Sequence, residues 1–88
     1  MEPTNTDYKQ MLSEIIKKQI VILGPQIAII KARGVAGLKV SDNGDVIEMA
    51  GPEQVILQKL IDAYVALSGE IVKNAVNSIF EKYPSIQH

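Results

Sequence analysis

Asp42, Asn43, Asp45 and Glu48 fall within seven residues of one another, and oxygen ligands gathered this densely suit a divalent cation. Calcium takes roughly six to eight oxygens at flexible geometry, so backbone carbonyls and water would complete a shell begun by these four side chains. Two β-capable runs, Leu38 to Val40 and Val46 to Met49, flank the segment. Between them Asn43-Gly44 is the pair that supplies positive φ angles to a type I′ hairpin turn. The spacing therefore predicts a short central hairpin with carboxylates at its tip. The same residues also make an ordinary solvent-exposed turn, in which the carboxylates lie outside because turns do.

The loop resembles a fragment of an EF-hand. With Gly44 at that family's invariant glycine, Asn43 precedes it and the apolar Val46 follows two residues later, as the pattern requires. The ends depart from it. Lys39 stands at the first ligand position, where the family has aspartate, and Ala50 at the last, where it has a bidentate glutamate. The resemblance implies a shallow, weak calcium site at Asp42, Asn43, Asp45 and Glu48 whose shell is completed by solvent, and no other cofactor.

Other chemistry finds little to work with. His88 is the sole histidine and cysteine is absent, so histidine clusters, thiolate sites and disulfides have no residues to form from. Ser41-Asp42 and Ser68-Gly69 lack the flanking glycines of a nucleophile elbow. Gly34, Gly37 and Gly44 follow no phosphate-loop spacing. The expectation is a non-enzymatic binding module. Nine basic against ten acidic residues give a net charge of −1, without the basic excess that holds nucleic acid.

The longest apolar run, Ile20 to Ile30, is interrupted by Gly24, Pro25 and Gln26 and is shorter than the ~20 residues that span a bilayer. Lys17, Lys18, Lys31 and Arg33 border it, as in helices that lie in a membrane interface. An alternative function follows: association with protein or lipid through the apolar faces of helices two and four, a homodimer included. The first residues, Met1-Glu2-Pro3-Thr4, show neither a basic nor an apolar leader region, which predicts a cytoplasmic protein.

The chain has 88 residues, 47% of them apolar and 22% charged, a balance that predicts one folded domain over residues 1–88. Tyr8, Met11, Leu12, Ile15, Ile16 and Ile20 recur at helical spacing, with Thr4 or Thr6 as cap and Asp7 in the first turn. Gly24-Pro25 ends this helix and starts a second, to about Arg33, that is apolar on most of its circumference and expected to be the most buried element. Gly34 or Gly37 is expected to close it in the left-handed conformation. After Gly51-Pro52, apolar residues from Val55 to Tyr83 keep helical spacing, with Lys59 and Asp62 as an ion pair and Tyr8, Tyr64 and Tyr83 at the core edge.

One unbroken helix from Pro52 to Tyr83 would be about 48 Å long, against a radius of gyration of about 12 Å for a compact domain of this size. A monomer should therefore bend at Ser68-Gly69, with Ser68 capping the new helix and Glu70 in its first turn. The fold class is mainly α, a compact four-helix bundle around a short central β-hairpin or acidic loop. Four short helices about an apolar interior resemble the saposin-like shape, without the cysteines that staple saposins. Thirteen isoleucines and no tryptophan resemble the small helical proteins of heat-loving archaea and suit a thermostable chain.

Overall fold

The computed structural model describes residues 4–84 and 86; His88 lies outside them. The chain runs α1 (Asn5–Leu23), α2 (Pro25–Arg33), β1 (Leu38–Val40), β2 (Val46–Met49), α3 (Glu53–Ser68) and α4 (Glu70–Phe80). Thr4 caps α1: its hydroxyl accepts from the Asp7 amide at 3.1 Å while the Asp7 carboxylate accepts from the Thr4 amide at 3.0 Å. Pro25 opens α2 at a position where a missing N–H costs nothing.

The break between α3 and α4 comes at Gly69, whose φ of 56° belongs to the left-handed region that glycine tolerates best. Gly69 itself takes the cap position, so the expectation that Ser68 would cap α4 is corrected: no side chain caps this helix. The bend folds α4 back along α1, bringing Lys82 and Tyr83 to Glu14. The radius of gyration is 11.6 Å, as the bend requires.

The hairpin departs from the expected turn. Gly44 has φ of 91°, but no described non-glycine residue has positive φ, so Asn43 is not left-handed and the turn is not type I′. Instead the Gly44 amide donates to the Ser41 carbonyl at 3.1 Å and the Ser41 amide to Asp45 at 2.9 Å. This is a three-residue loop in which a left-handed glycine follows a turn. The Ser41 hydroxyl, accepting from the Asn43 and Asp45 amides, holds it in shape. Beyond it the register slips: Lys39 pairs with Glu48 but Val40 with Val46, leaving Ile47 as an extra residue of β2. The bulge explains why Val46 and Met49 both face the core while Ile47 and Glu48 face water.

The expectation that α2 would be the most buried element is corrected. Only Ala28, Ile29 and Ala32 are buried; Ile27 and Ile30 are exposed. A nine-residue helix on the rim of the bundle turns one side inward, whatever its composition. Gly34 closes it with a right-handed φ of −74°, and the left-handed residue is Gly37. Two smaller expectations change as well. Asp62 accepts from Gln58 at 2.9 Å and has no ion pair with Lys59. Tyr64 is not at the core edge but fully buried, its hydroxyl donating to the Ala28 carbonyl at 2.7 Å.

Gln19 follows Ile15 and Ile16 at helical spacing and is fully buried with both amide atoms unpartnered. An orphaned buried polar group costs about 1–3 kcal/mol. Gln19→Leu, close in volume and free of that cost, should raise the urea midpoint of unfolding by an amount corresponding to about 1 kcal/mol or more. A fall in the midpoint would mean that the amide has a partner, such as a bridging water.

Candidate functional site

Two helices position the acidic loop. The Ser13 hydroxyl of α1 accepts from the Val46 amide at 2.9 Å while donating to the Lys9 carbonyl, pinning β2 to α1. Gly44 lies against Ile16, Lys17 and Ile20, so close that a Cβ there would meet Ile20 at 2.9 Å. From α2, Arg33 donates to the Val40 carbonyl through Nε and Nη2.

These contacts spread the carboxylates over different cations. Asp42 pairs with Arg33 at 2.7 Å, Asp45 with Lys17 at 2.6 Å and Glu48 with Lys39 at 3.2 Å. Asn43 meets Ser41 only through its backbone amide. The four residues therefore do not converge, and no cluster of three carboxylate or histidine groups that could hold a metal ion occurs among the described residues. The calcium expectation is left without an assembled ligand set. Each carboxylate already has a positive neighbour that an incoming cation would have to displace.

Beside the loop, α1, the hairpin and Tyr83, which follows α4, border an open cleft of about 390 Å³. Glu14 accepts from the Tyr83 hydroxyl and from Lys82 at 3.0 Å. The Tyr83 hydrogen bond, opposed by partial burial and aided by Lys82, holds the Glu14 carboxyl below its ordinary range. Burial first, then the same hydrogen bond, pushes the Tyr83 phenol up to about 12. Glu14, Lys82 and Tyr83 thereby tie α1 to the segment that follows α4.

Large aliphatic side chains are left in water on the helices and, at Ile47 (60%), on the hairpin. Val21 is 82% exposed, Ile30 67%, Ile71 58% and Ile27 48%, with Val55 and Leu67 nearly as open. Tyr64 and Ala28 lie about one turn from Gly69 and Gly24 respectively, so their hydrogen bond brings both helix breaks to one end of the bundle. Val21 and Ile27 lie three residues either side of Gly24, and Leu67 and Ile71 two residues either side of Gly69. Between α2 and α3 runs an open groove of about 550 Å³ with Ile30 and Val35 on one wall and Ala63 on the other. Lys31 and Lys59 stand on its two sides, and neither has an ion pair among the described residues. Sequence patterning placed Lys31 among the cations bordering the apolar Ile20 to Ile30 run and did not join it to Lys59.

No family model, curated protein or solved structure matches the chain.

Two outcomes test the loop and the cleft. Calcium added to about 1 mM should leave the amides of Ser41 through Glu48 without a saturable shift; saturable movement would restore the cation site. Above pH 10 the folded chain keeps a Tyr83 proton that the unfolded chain loses, so folded stability should fall from pH 10 towards about 12. Tyr83→Phe should flatten that fall in urea titrations at pH 8, 10 and 11, and equal slopes in parent and variant would exclude the effect.

Proposed function

We propose that the protein is a non-enzymatic interaction module that associates through the apolar surface of α2 and of the neighbouring helix breaks. One observation carries this reading: Ile27 and Ile30 of α2, with Val21, Leu67 and Ile71 within three residues of a helix break, are large aliphatic side chains left in water. Scattered exposed aliphatics are ordinary on any surface, but five near two adjoining helix breaks leave a patch that association would cover.

The other candidate chemistry does not compete with it. Calcium at Asp42, Asn43, Asp45 and Glu48 would have to break three ion pairs. Among the described residues no helix is long and apolar enough to cross a membrane, so contact with lipid would be peripheral.

The double variant Ile27→Gln, Ile30→Gln separates surface from core. Because both side chains are already in water, it should cost less than about 0.5 kcal/mol of stability. It should also lower binding of the dye 1-anilinonaphthalene-8-sulfonate to the folded protein. Strong destabilisation would make these residues part of the core. A parent that binds no dye, no vesicle and no second copy of itself would end the reading.

A further inference from the structure

The groove between α2 and α3 shows what kind of partner the apolar surface suits. On α3, Lys59, Ala63 and Leu67 follow one another at four-residue spacing and share one face. At the other wall, Ile27 with Lys31, and Ile30 with the capping Gly34, stand four residues apart on α2 and its end. Gly34, Ala36 and Ala63 keep the groove shallow-walled, so that a backbone can come close, and exposed Ile30 stands at its edge.

Charge decides the occupant. Lys31 and Lys59 lie on opposite sides of the groove, and among the described residues no acidic one lines it and neither ammonium has an ion pair. Asp62, beside Ala63 in sequence, is outside the groove and accepts a hydrogen bond from Gln58. A second copy docked face to face would set four ammonium groups against one another without a carboxylate among them, an arrangement that like-charge repulsion opposes. A flat bilayer does not fill a concave groove. A helix does, and two cations flanking an apolar floor are complementary to carboxylates flanking an apolar stripe.

We propose that this groove docks an acidic amphipathic helix of a partner protein, its apolar stripe lying between Ile30 and Ala63 and its carboxylates on Lys31 and Lys59. The proposal rests on the interaction-module reading and adds the partner's chemistry.

Two synthetic peptides of about 18 residues, some five helical turns, test it: both carry the same leucine stripe, one flanked by glutamates and the other by lysines. The glutamate peptide should bind and shift the amides of Ile30, Lys31, Gly34, Lys59 and Ala63, with the lysine peptide weaker by roughly tenfold or more. The double variant Lys31→Glu, Lys59→Glu changes only exposed side chains and should reverse the preference. Equal binding of the two peptides, shifts centred elsewhere, no reversal in the variant, or no binding of either peptide would overturn the proposal. So would preferential binding to phosphatidylglycerol vesicles, or a concentration-dependent dimer abolished by Ile30→Lys. Those last two outcomes would leave the broader interaction reading standing with a different occupant, whereas its own failure is read from the dye, vesicle and self-association measurements together.

Discussion

The Tyr64 hydroxyl reaches the Ala28 carbonyl at 2.7 Å in a place that water does not enter, and the layout of the helices follows from that contact. A buried phenol without an acceptor would be costly, so α3 is held at the one height and rotation on α2 that supplies one. The chain turns after α1 and again after α3. Glycine stands at each reversal, Gly24 with φ of 90° and Gly69 with φ of 56°. The same rotation turns Ile29 inward and leaves Ile27 and Ile30 outside. The exposed face of α2 is thus a geometric consequence of how α2 and α3 meet.

Electrostatics divides the molecule along the same line. Every ion pair among the described residues involves the hairpin or the contact of α1 with α4: Lys17 with Asp45, Arg33 with Asp42, Lys39 with Glu48, and Lys82 with Glu14. Exposed pairs of this kind stabilise by no more than about 1 kcal/mol each. Their larger effect is to neutralise one side of the protein. On the α2 and α3 side Lys31 and Lys59 remain uncompensated. A chain of net charge −1 therefore presents a local positive field beside its exposed apolar surface.

Much of this fold was legible in the residues, because its boundaries are set by local chemistry. Thr4 with Asp7, Gly24-Pro25, the two β-capable runs and Ser68-Gly69 each announce an end or a turn, and each stands where its spacing placed it. What could not be read depends on which side chains meet once the chain has folded. Asn43-Gly44 allows a type I′ turn, but the hydroxyl of Ser41 and the packing of Gly44 on Ile16 and Ile20 favour another. Asp42, Asp45 and Glu48 look like a ligand cluster until Arg33, Lys17 and Lys39 arrive from three other positions to divide them. The composition of α2 suggested complete burial, but which side of a short helix is covered is a property of its neighbours. Gln19 is the reverse case: helical spacing places it on the core face, and composition alone would have kept an amide out.

The strength of the proposed contact follows from magnitudes. Covering a large aliphatic side chain such as Ile27 or Ile30 contributes about 1.5–3 kcal/mol. Association first costs an estimated ~4–15 kcal/mol in lost freedom of motion. A few such side chains and a shallow groove therefore give modest affinity at best, and any helix with a suitable stripe would gain about as much. Lys31 and Lys59 supply the discrimination that apolar area lacks, since charge complementarity acts chiefly on encounter rate and on the rejection of wrong partners. A contact built this way is transient and sensitive to salt, because charges exposed on a groove are screened over a Debye length of about 8 Å at physiological ionic strength. The apolar side chains hold whatever has docked, and the lysines determine which helix that is.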